Sequence, residues 1–210
     1  MDDTGSVELP RWKTIAATGA AVLLGLLFIV SGTWKITDPL GAATRMMQAK
    51  VPGEVALPFA ILLGIGEAFS GVLLLVPRFR RWGAWLTGLM LVAFMIYIGY
   101  YYDALRGEEC SCFPWLKRAV GPGFFIGDAV MLALAGMAAW WSVRPNGLRP
   151  AAVILGAVTV FALASYGVAA RREQGAAAPA SITVDGKAVS LGTGRFLVFF
   201  YDPMCTHCAA

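Results

Sequence analysis

Five apolar runs, each about 20 residues long, constrain this chain more than any other feature. They are separated by short clusters of charged residues and prolines. A helix of about 20 apolar residues spans the roughly 30 Å hydrocarbon core of a bilayer. Only 14% of the residues are charged, against about 25% in a typical soluble domain. We therefore predict a polytopic membrane protein that contacts the lipid bilayer, with spans near residues 14–36, 54–76, 82–102, 124–141 and 151–170.

The fold class predicted from these runs is an all-α polytopic membrane helical bundle. It consists of a four-helix core and a fifth span, followed by a short β segment at the C-terminus. The predicted divisions are a cytoplasmic tail, the four-helix membrane bundle, a fifth transmembrane helix, a linker and the C-terminal segment: 1–13, 14–143, 144–172, 173–180 and 181–210.

Positive charge orients the predicted bundle, because short cytoplasmic loops are dense in lysine and arginine. The dense clusters place the N-terminus in the cytoplasm, and the segments 37–53, 103–123 and everything after Arg171 on the periplasmic side of a bacterial plasma membrane. This topology also accounts for the net charge of +4. No basic stripe follows a soluble domain, so a nucleic-acid partner is not expected. The residues that form the clusters are Arg11, Lys13, Arg78, Arg80, Arg81, Arg144 and Arg149.

The C-terminal segment has the pattern of short strands. Residues 181–184 alternate between polar and apolar, 185–187 (DGK) favour a hairpin turn, and 196–201 (FLVFFY) are typical of a strand buried on both faces. About 30 residues cannot build a core of their own. We therefore expect this segment to be a fragment of a domain or to pack against the membrane bundle.

One cysteine pair, Cys205 and Cys208, follows that last apolar run with Thr206 and His207 between its members. A buried strand followed by Asp-Pro-x-Cys-x-x-Cys resembles the opening of a thioredoxin fold. That resemblance implies that Cys205 lies at a helix N-terminus, which lowers the pKa of its thiol, and a protonated His207 would favour the thiolate further. Both effects make a disulfide more oxidising. A structural disulfide or a structural metal site at this position remains an alternative.

The other pair, Cys110 and Cys112, lies in the predicted outer segment 103–123. Closing a disulfide across one intervening residue gives a small, strained ring, and strained disulfides are labile. The pair is therefore better suited to electron relay than to a structural disulfide. Two free thiols are the alternative. Both pairs are predicted on the side where disulfides form. Four thiolates also suit a soft ion such as Cu(I) or Hg(II), although no metal cofactor is expected.

Two acidic residues, Glu67 and Asp128, lie within predicted spans, where charge is expensive unless it is paired or protonated. Lys35 and Asp38 flank the outer end of the first span and could pair with each other or with these carboxylates. A proton relay is attractive, because oxidation of a dithiol releases protons. The alternative is that the polar groups hold together helices that pack through the nearby glycines.

Three segments of the chain resemble the MauE/DoxX redox-associated membrane proteins: 31–39 (SGTWKITDP), 64–71 (GIGEAFSG) and 110–128. The resemblance covers roughly residues 14–143. It implies a four-helix bundle that works with periplasmic thioredoxin-like partners. Residues 182–208 resemble the start of a TlpA-like thioredoxin domain, without that family's later helix, strands and cis-proline.

The combined prediction is a membrane thiol–disulfide oxidoreductase. Cys205, resolved by Cys208, would exchange with a periplasmic thiol or disulfide client protein and then with Cys110 and Cys112. By analogy with vitamin K epoxide reductase-like proteins, a quinone is the expected electron acceptor. A soft-metal carrier and a scaffold that recruits a separate redox enzyme remain alternatives. The sequence does not fix the direction of electron flow, although His207 favours oxidation.

Overall fold

A computed structural model describes residues 10–108, 119–142, 147–173, 181–184 and 187–190 of the chain. In these residues the backbone forms helices and one pair of strands. The elements are α1 (Arg11–Thr37), α2 (Pro39–Gln48), α3 (Gly53–Leu75), α4 (Arg80–Tyr100), α5 (Tyr102–Leu105), α6 (Pro122–Trp140), α7 (Arg149–Glu173), β1 (Ser181–Val184) and β2 (Lys187–Ser190).

Five of these helices, α1, α3, α4, α6 and α7, are long and apolar enough to cross a membrane. They coincide with the predicted spans to within a few residues at each end. The prediction of a helical membrane protein with five spans is confirmed at this level of length and composition. Large apolar side chains cover the outside of the bundle, as expected of surfaces that face lipid, including Leu62, Leu89, Ile96 and Val130.

The closest helix pair is α1 against α3, and glycines allow its approach. A β-carbon at Gly32 would lie 2.7 Å from the carbonyl oxygen of Gly64 and nearer still to the backbone nitrogen of Ala68. Two turns away, a β-carbon at Gly71 would lie 2.8 Å from the carbonyl oxygen of Gly25. Small residues at matched positions are the usual way for membrane helices to bring their backbones together.

Helices α4 and α6 complete a four-helix bundle, with α4 packed on α3 and α6 packed on α1. The ring centroids of Trp85 and Trp140 lie 5.4 Å apart, and those of Phe94 and Phe124 lie 5.7 Å apart, both in tilted arrangements. Since the order along α4 is reversed along α6, these two helices are antiparallel. Their alanine-rich contact surfaces form part of the main core cluster.

The two ends of the bundle differ in composition. One end, called the basic end below, gathers the start of α1, the α3–α4 turn, the end of α6 and the start of α7. There Arg80 Nη1 donates to Thr18 Oγ1 at 3.0 Å. Lys13 Nζ lies 5.5 Å and 5.7 Å from the rings of Trp12 and Trp141. The opposite end, called the loop end, carries α2, α5 and residues 106–108 and 119–121.

Helix α2 occupies the predicted outer segment 37–53, for which the sequence analysis proposed no helix. The Asp38 carboxylate accepts a hydrogen bond from the Gly41 backbone N–H at 3.0 Å, and Pro39 stands at the first helical position. Both are standard helix-start signals. The inner face of α2 then packs on Ala56 and Ala60 of α3, so this outer segment is ordered against the bundle.

Helix α7 lies on the outside of the four-helix bundle. Ala151, near its start, packs with Leu73 and Phe79, and Ala162 packs with Ile36 and Ala68. The helix therefore runs from the basic end toward the loop end. Most of its surface is exposed on the outside of the bundle, as expected of a helix that faces lipid.

Residues 171–210 form a second compact unit. Its described part is an antiparallel hairpin in which Ser181 pairs with Ser190 and Val184 with Lys187. Strand β1 falls on the first predicted strand, 181–184, while the predicted thioredoxin-like β segment stays a prediction. A two-stranded hairpin does not identify a thioredoxin fold, and the apolar run 196–201 lies outside the described residues.

Candidate functional site

The buried charge pair of Lys35 and Glu67 joins α1 to α3 in the bundle interior. Lys35 Nζ lies 2.7 Å from Glu67 Oε2, and their side chains are only 4% and 8% exposed. Charges removed from water are tolerated when they are paired and hydrogen-bonded. The sequence allowed Lys35 to pair with Asp38, Glu67 or Asp128, and in the structure it pairs with Glu67.

Ser31 bonds to both members of the pair and so completes a three-residue hydrogen-bond network. Its hydroxyl donates to Glu67 Oε2 at 2.8 Å and accepts from Lys35 Nζ at 2.7 Å. Ser31 and Lys35 are four residues apart in α1, so they share one helix face. Two donors thus converge on one carboxylate oxygen, which fixes the Glu67 side chain from both directions.

The backbone of this network is held by the α1–α3 glycines. Gly32 follows Ser31 directly, and Gly64 is three residues before Glu67. A β-carbon at Gly64 would lie 3.0 Å from Cβ of Lys35. Ser70, also fully buried, donates to the backbone carbonyl of Glu67 at 3.0 Å. The polar side chains of α1 and α3 can meet because glycines stand where the two backbones are closest.

Asp128 of α6 is also buried, with 2% of its surface exposed. It lies between Phe124, which contacts Phe94, and Leu132, which contacts the Gly88 position of α4. Along the length of the bundle, Asp128 of α6 therefore lies at about the same height as Leu91 of α4. On the other face of α4, Met90 contacts the Gly66 position of α3, next to Glu67. The helix register thus brings Asp128 to the level of the Lys35–Glu67 pair.

At the loop end, backbone hydrogen bonds fix both stems of the segment that carries Cys110 and Cys112. The Gly107 N–H donates to the Val120 carbonyl at 3.1 Å, and the Val120 N–H donates to the Glu108 carbonyl at 3.0 Å. Gly107 has a φ of 84°, a left-handed conformation that favours glycine. Val120 is buried with Ile98 beneath the stem.

The sequence profile of one protein family, described as methylamine utilisation protein MauE, matches residues 13–141. The chain belongs to the MauE family. Neither a curated protein nor a solved structure matches it significantly. The matched region covers α1 from its third residue onward and all of α2 to α6. It includes the Ser31–Lys35–Glu67 network, Asp128 and the cysteine-bearing segment 109–118.

MauE membership confirms the resemblance for the membrane bundle and is consistent with a redox-associated membrane role. The family match ends before α7 and the hairpin, so it does not show a fused TlpA-like domain. The predicted catalytic residues Cys110, Cys112, Cys205 and Cys208, together with His207, lie outside the described residues. Their pairing stays a prediction.

Within the ranges that the structure describes, no group of three or more His, Cys, Asp or Glu side chains could hold a metal ion. All four cysteines fall outside those ranges, so the soft-metal alternative is untested. Among the predicted supporting residues, Asp38 caps α2, whereas Lys35 and Glu67 form the buried pair.

Ser31 is the functional candidate that the sequence analysis missed. It belongs to the 31–39 motif but was not singled out there, because serine is common in membrane helices and carries no charge. The available signal was its position, one helical turn before Lys35. Its partner Glu67 is 36 residues away in the chain, and only the packing of α1 on α3 reveals that contact.

Proposed function

We propose that this MauE-family protein is a membrane thiol–disulfide oxidoreductase. It exchanges a disulfide between Cys205–Cys208 and Cys110–Cys112 on the periplasmic side of a bacterial plasma membrane. The observation that carries the proposal is the fixed stem at the loop end. Hydrogen bonds join residues 107–108 to Val120, so the bundle holds both ends of the segment that bears the first cysteine pair.

The course of α7 supports bringing the second pair to the same side. Helix α7 starts near Phe79 at the basic end and reaches Ile36 with its middle. Its 25 residues extend about 38 Å at 1.5 Å per residue, enough to cross a bilayer once. A helix with this course crosses from the basic end toward the loop end.

The exchange conserves atoms and electrons. The Cys205 thiolate attacks one sulfur of the Cys110–Cys112 disulfide, and a mixed disulfide forms as the other sulfur leaves as a thiolate. Cys208 then attacks the mixed disulfide and releases the second thiol. Two electrons pass from the C-terminal pair to the bundle pair, and the protons of the attacking thiols end on the leaving ones. The reverse sequence delivers reductant outward through the same residues.

The client is proposed to be a periplasmic protein with a thiol or disulfide, and a quinone is proposed as the electron acceptor by analogy. The described residues lend the quinone no support of their own. Ser31 and Lys35 direct their hydrogen bonds at Glu67, and the Tyr97 hydroxyl donates to the Ala49 carbonyl at 3.0 Å. The disulfide exchange between the two cysteine pairs itself requires no quinone.

The test traps the mixed disulfide. The full chain carrying Cys112→Ser and Cys208→Ser is purified without reductant, digested and mapped by mass spectrometry. A Cys110–Cys205 crosslink is the expected result, because each pair then lacks its resolving thiol. The matched control carries Cys110→Ser and Cys205→Ser, which leaves the two resolving cysteines and should give markedly less crosslink.

Two outcomes would overturn the proposal. One is the absence of a crosslink between the pairs in the trapped variant, with client turnover unchanged when Cys110 is replaced by serine. That result would favour a scaffold for a separate redox enzyme. The other is four free thiols in the wild-type protein together with stoichiometric Cu(I) or Hg(II), which would favour the soft-metal carrier.

A further inference from the structure

Five of the seven tryptophans of the chain belong to the basic end of the bundle. They are Trp12, Trp82, Trp85, Trp140 and Trp141. Tryptophan concentrates at membrane–water interfaces, because its ring packs among lipid groups while its N–H stays near water. Trp12, Trp85 and Trp140 are each more than half exposed. The basic end therefore presents an aromatic surface at the depth of the lipid head groups.

One cation is held within this aromatic surface, at the seam between α1 and α6. The rings of Trp12 and Trp141 meet edge to face with centroids 5.6 Å apart. Lys13 Nζ lies 5.5 Å from the centroid of the first ring and 5.7 Å from that of the second. Cation–π attraction positions an ammonium while its N–H groups can still donate to an anion. The seam thus combines a positioned positive charge with two aromatic rings.

The charge of the basic end favours an anion. The chain segments that form or adjoin it, 1–19, 77–86 and 140–152, contain seven lysines and arginines and three acidic residues. Four positive charges therefore remain even when each of these carboxylates is paired with a cation. Basic residues clustered next to a membrane surface attract anionic lipids. The partner that complements this end is a lipid with a negatively charged head group.

On the loop-end side of Trp12, the same face of α1 is apolar and exposed. Ile15, Gly19, Val22 and Leu26 follow at helical spacing, and all four are exposed. A β-carbon at Gly19 would have no neighbour within 4 Å, so the helix surface is open there. From Ile15 to Leu26 the helix rises about 17 Å at 1.5 Å per residue, close to half of the roughly 30 Å hydrocarbon core. This face is therefore as long as one acyl chain in one leaflet.

We propose that the seam of α1 and α6 at the basic end is a binding site for an anionic phospholipid. The Lys13 ammonium binds the phosphate of the head group, and the rings of Trp12 and Trp141 pack against the glycerol backbone. One acyl chain lies along the exposed apolar face of α1. The site is separate from the cysteines and does not rest on the proposed disulfide exchange.

The test is native mass spectrometry of the full chain, released from micelles that contain phosphatidylglycerol or phosphatidylcholine with the same acyl chains. The wild type should retain phosphatidylglycerol more strongly. Lys13→Gln should weaken phosphatidylglycerol binding about fivefold, the effect of one charge near a lipid surface, and leave phosphatidylcholine binding unchanged. Lys50→Gln is the matched control, because Lys50 is exposed at the loop end, and it should bind both lipids like the wild type.

A second pair of variants tests the acyl-chain face. Gly19→Leu fills the open surface of α1 and should lower the retention of phosphatidylglycerol. Gly99→Leu is its control, because Gly99 lies near the loop end of α4 and a β-carbon there also has no neighbour within 4 Å. Thermal unfolding of all the variants in the same detergent separates a loss of binding from a loss of folding.

The wild type alone also tests the proposal. Its preference for phosphatidylglycerol should fall as ionic strength rises, because salt screens exposed charges. Equal retention of the two lipids would overturn the proposal, as would equal losses in Lys13→Gln and Lys50→Gln. Displacement of the lipid by inorganic phosphate alone would also overturn it, because the site would then bind a free anion. Serine replacement of all four cysteines should leave lipid retention unchanged, so this test and the cysteine trap fail separately.

Discussion

At the scale of single residues, the stability of the interior depends on how completely each buried polar atom is matched. Lys35 and Glu67 form a direct pair, and Ser31 bonds to both. Removing one member of a buried pair leaves the other charge without compensation, which costs more than the net value of the pair. The serine matters for the same reason, since its hydroxyl orients the carboxylate that must face the ammonium.

The contribution of Ser31 can be separated from that of buried serines in general. We expect Ser31→Ala to lower the free energy of unfolding by about 1–3 kcal/mol, the usual cost of leaving buried hydrogen-bonding groups unmatched. Ser70→Ala is the matched control, because Ser70 is equally buried but donates only to a backbone carbonyl. Thermal unfolding in detergent measures both, and equal losses would contradict the network.

The Lys35–Glu67 pair is open to a double-mutant cycle. Lys35→Met and Glu67→Met should each destabilise the bundle by about 3 kcal/mol or more. The double variant should lose less than the sum, because neither charge is then left alone. Unfolding titrations in mixed micelles give the coupling energy. Additive losses would mean that the two side chains do not depend on each other.

At the scale of elements, the decisive contact is α1 against α3. Its glycines let the backbones approach until the polar side chains reach one another, and the resulting position of α1 also sets its contact with α6. The short helix α2 continues this contact beyond the end of α1 by packing on the first turns of α3. The interior network and the loop end are thus positioned by one helix pair.

A glycine comparison tests that contact. In Gly32→Ala the new methyl group would meet the backbone of Gly64 and Ala68, so we expect a loss of about 1–3 kcal/mol from overpacking. Gly19→Ala is the control, since a β-carbon there has no neighbour within 4 Å, and alanine favours the helix by up to about 1 kcal/mol. Unfolding titrations should give opposite signs, and two neutral results would contradict the close approach.

At the scale of the whole molecule, the two ends of the bundle differ in charge and in structure. Arginines and lysines gather at the basic end, whereas α2, α5 and the stem of segment 109–118 lie at the loop end. The positive-inside rule predicts a cytoplasmic basic end. The proposed disulfide exchange depends on this arrangement, because it requires an oxidising compartment at the loop end.

Single cysteines in a cysteine-free chain test the orientation. Asp103→Cys, exposed at the loop end, should react with a membrane-impermeant maleimide in intact spheroplasts. Arg149→Cys, exposed at the start of α7, should react only after permeabilisation. Electrophoretic mobility of the labelled protein reports each reaction. The reverse pattern would place the loop end in the cytoplasm and remove the redox environment that the relay requires.

The sequence by itself determined the number and position of the spans, because each apolar run must cross the hydrocarbon core as a helix. It also identified Lys35, Glu67 and Asp128 as unusual, since charge at membrane depth is rare on energetic grounds. The strand at 181–184 followed from alternation alone. The signals for α2 were present in Asp38 and Pro39, but the helix was too short and too weakly apolar to stand out as a span.

Only the tertiary structure decided which of these groups meet. Lys35 had several possible partners, and the choice of Glu67 follows from the close packing of α1 on α3 at Gly32 and Gly64. The common level of Asp128 likewise follows from the register of α6 on α4. Apolar periodicity fixes which residues enter the membrane, but distances between helices depend on side-chain shapes at contacts far apart in the chain. That is why Ser31 becomes visible as a network residue only in the folded bundle.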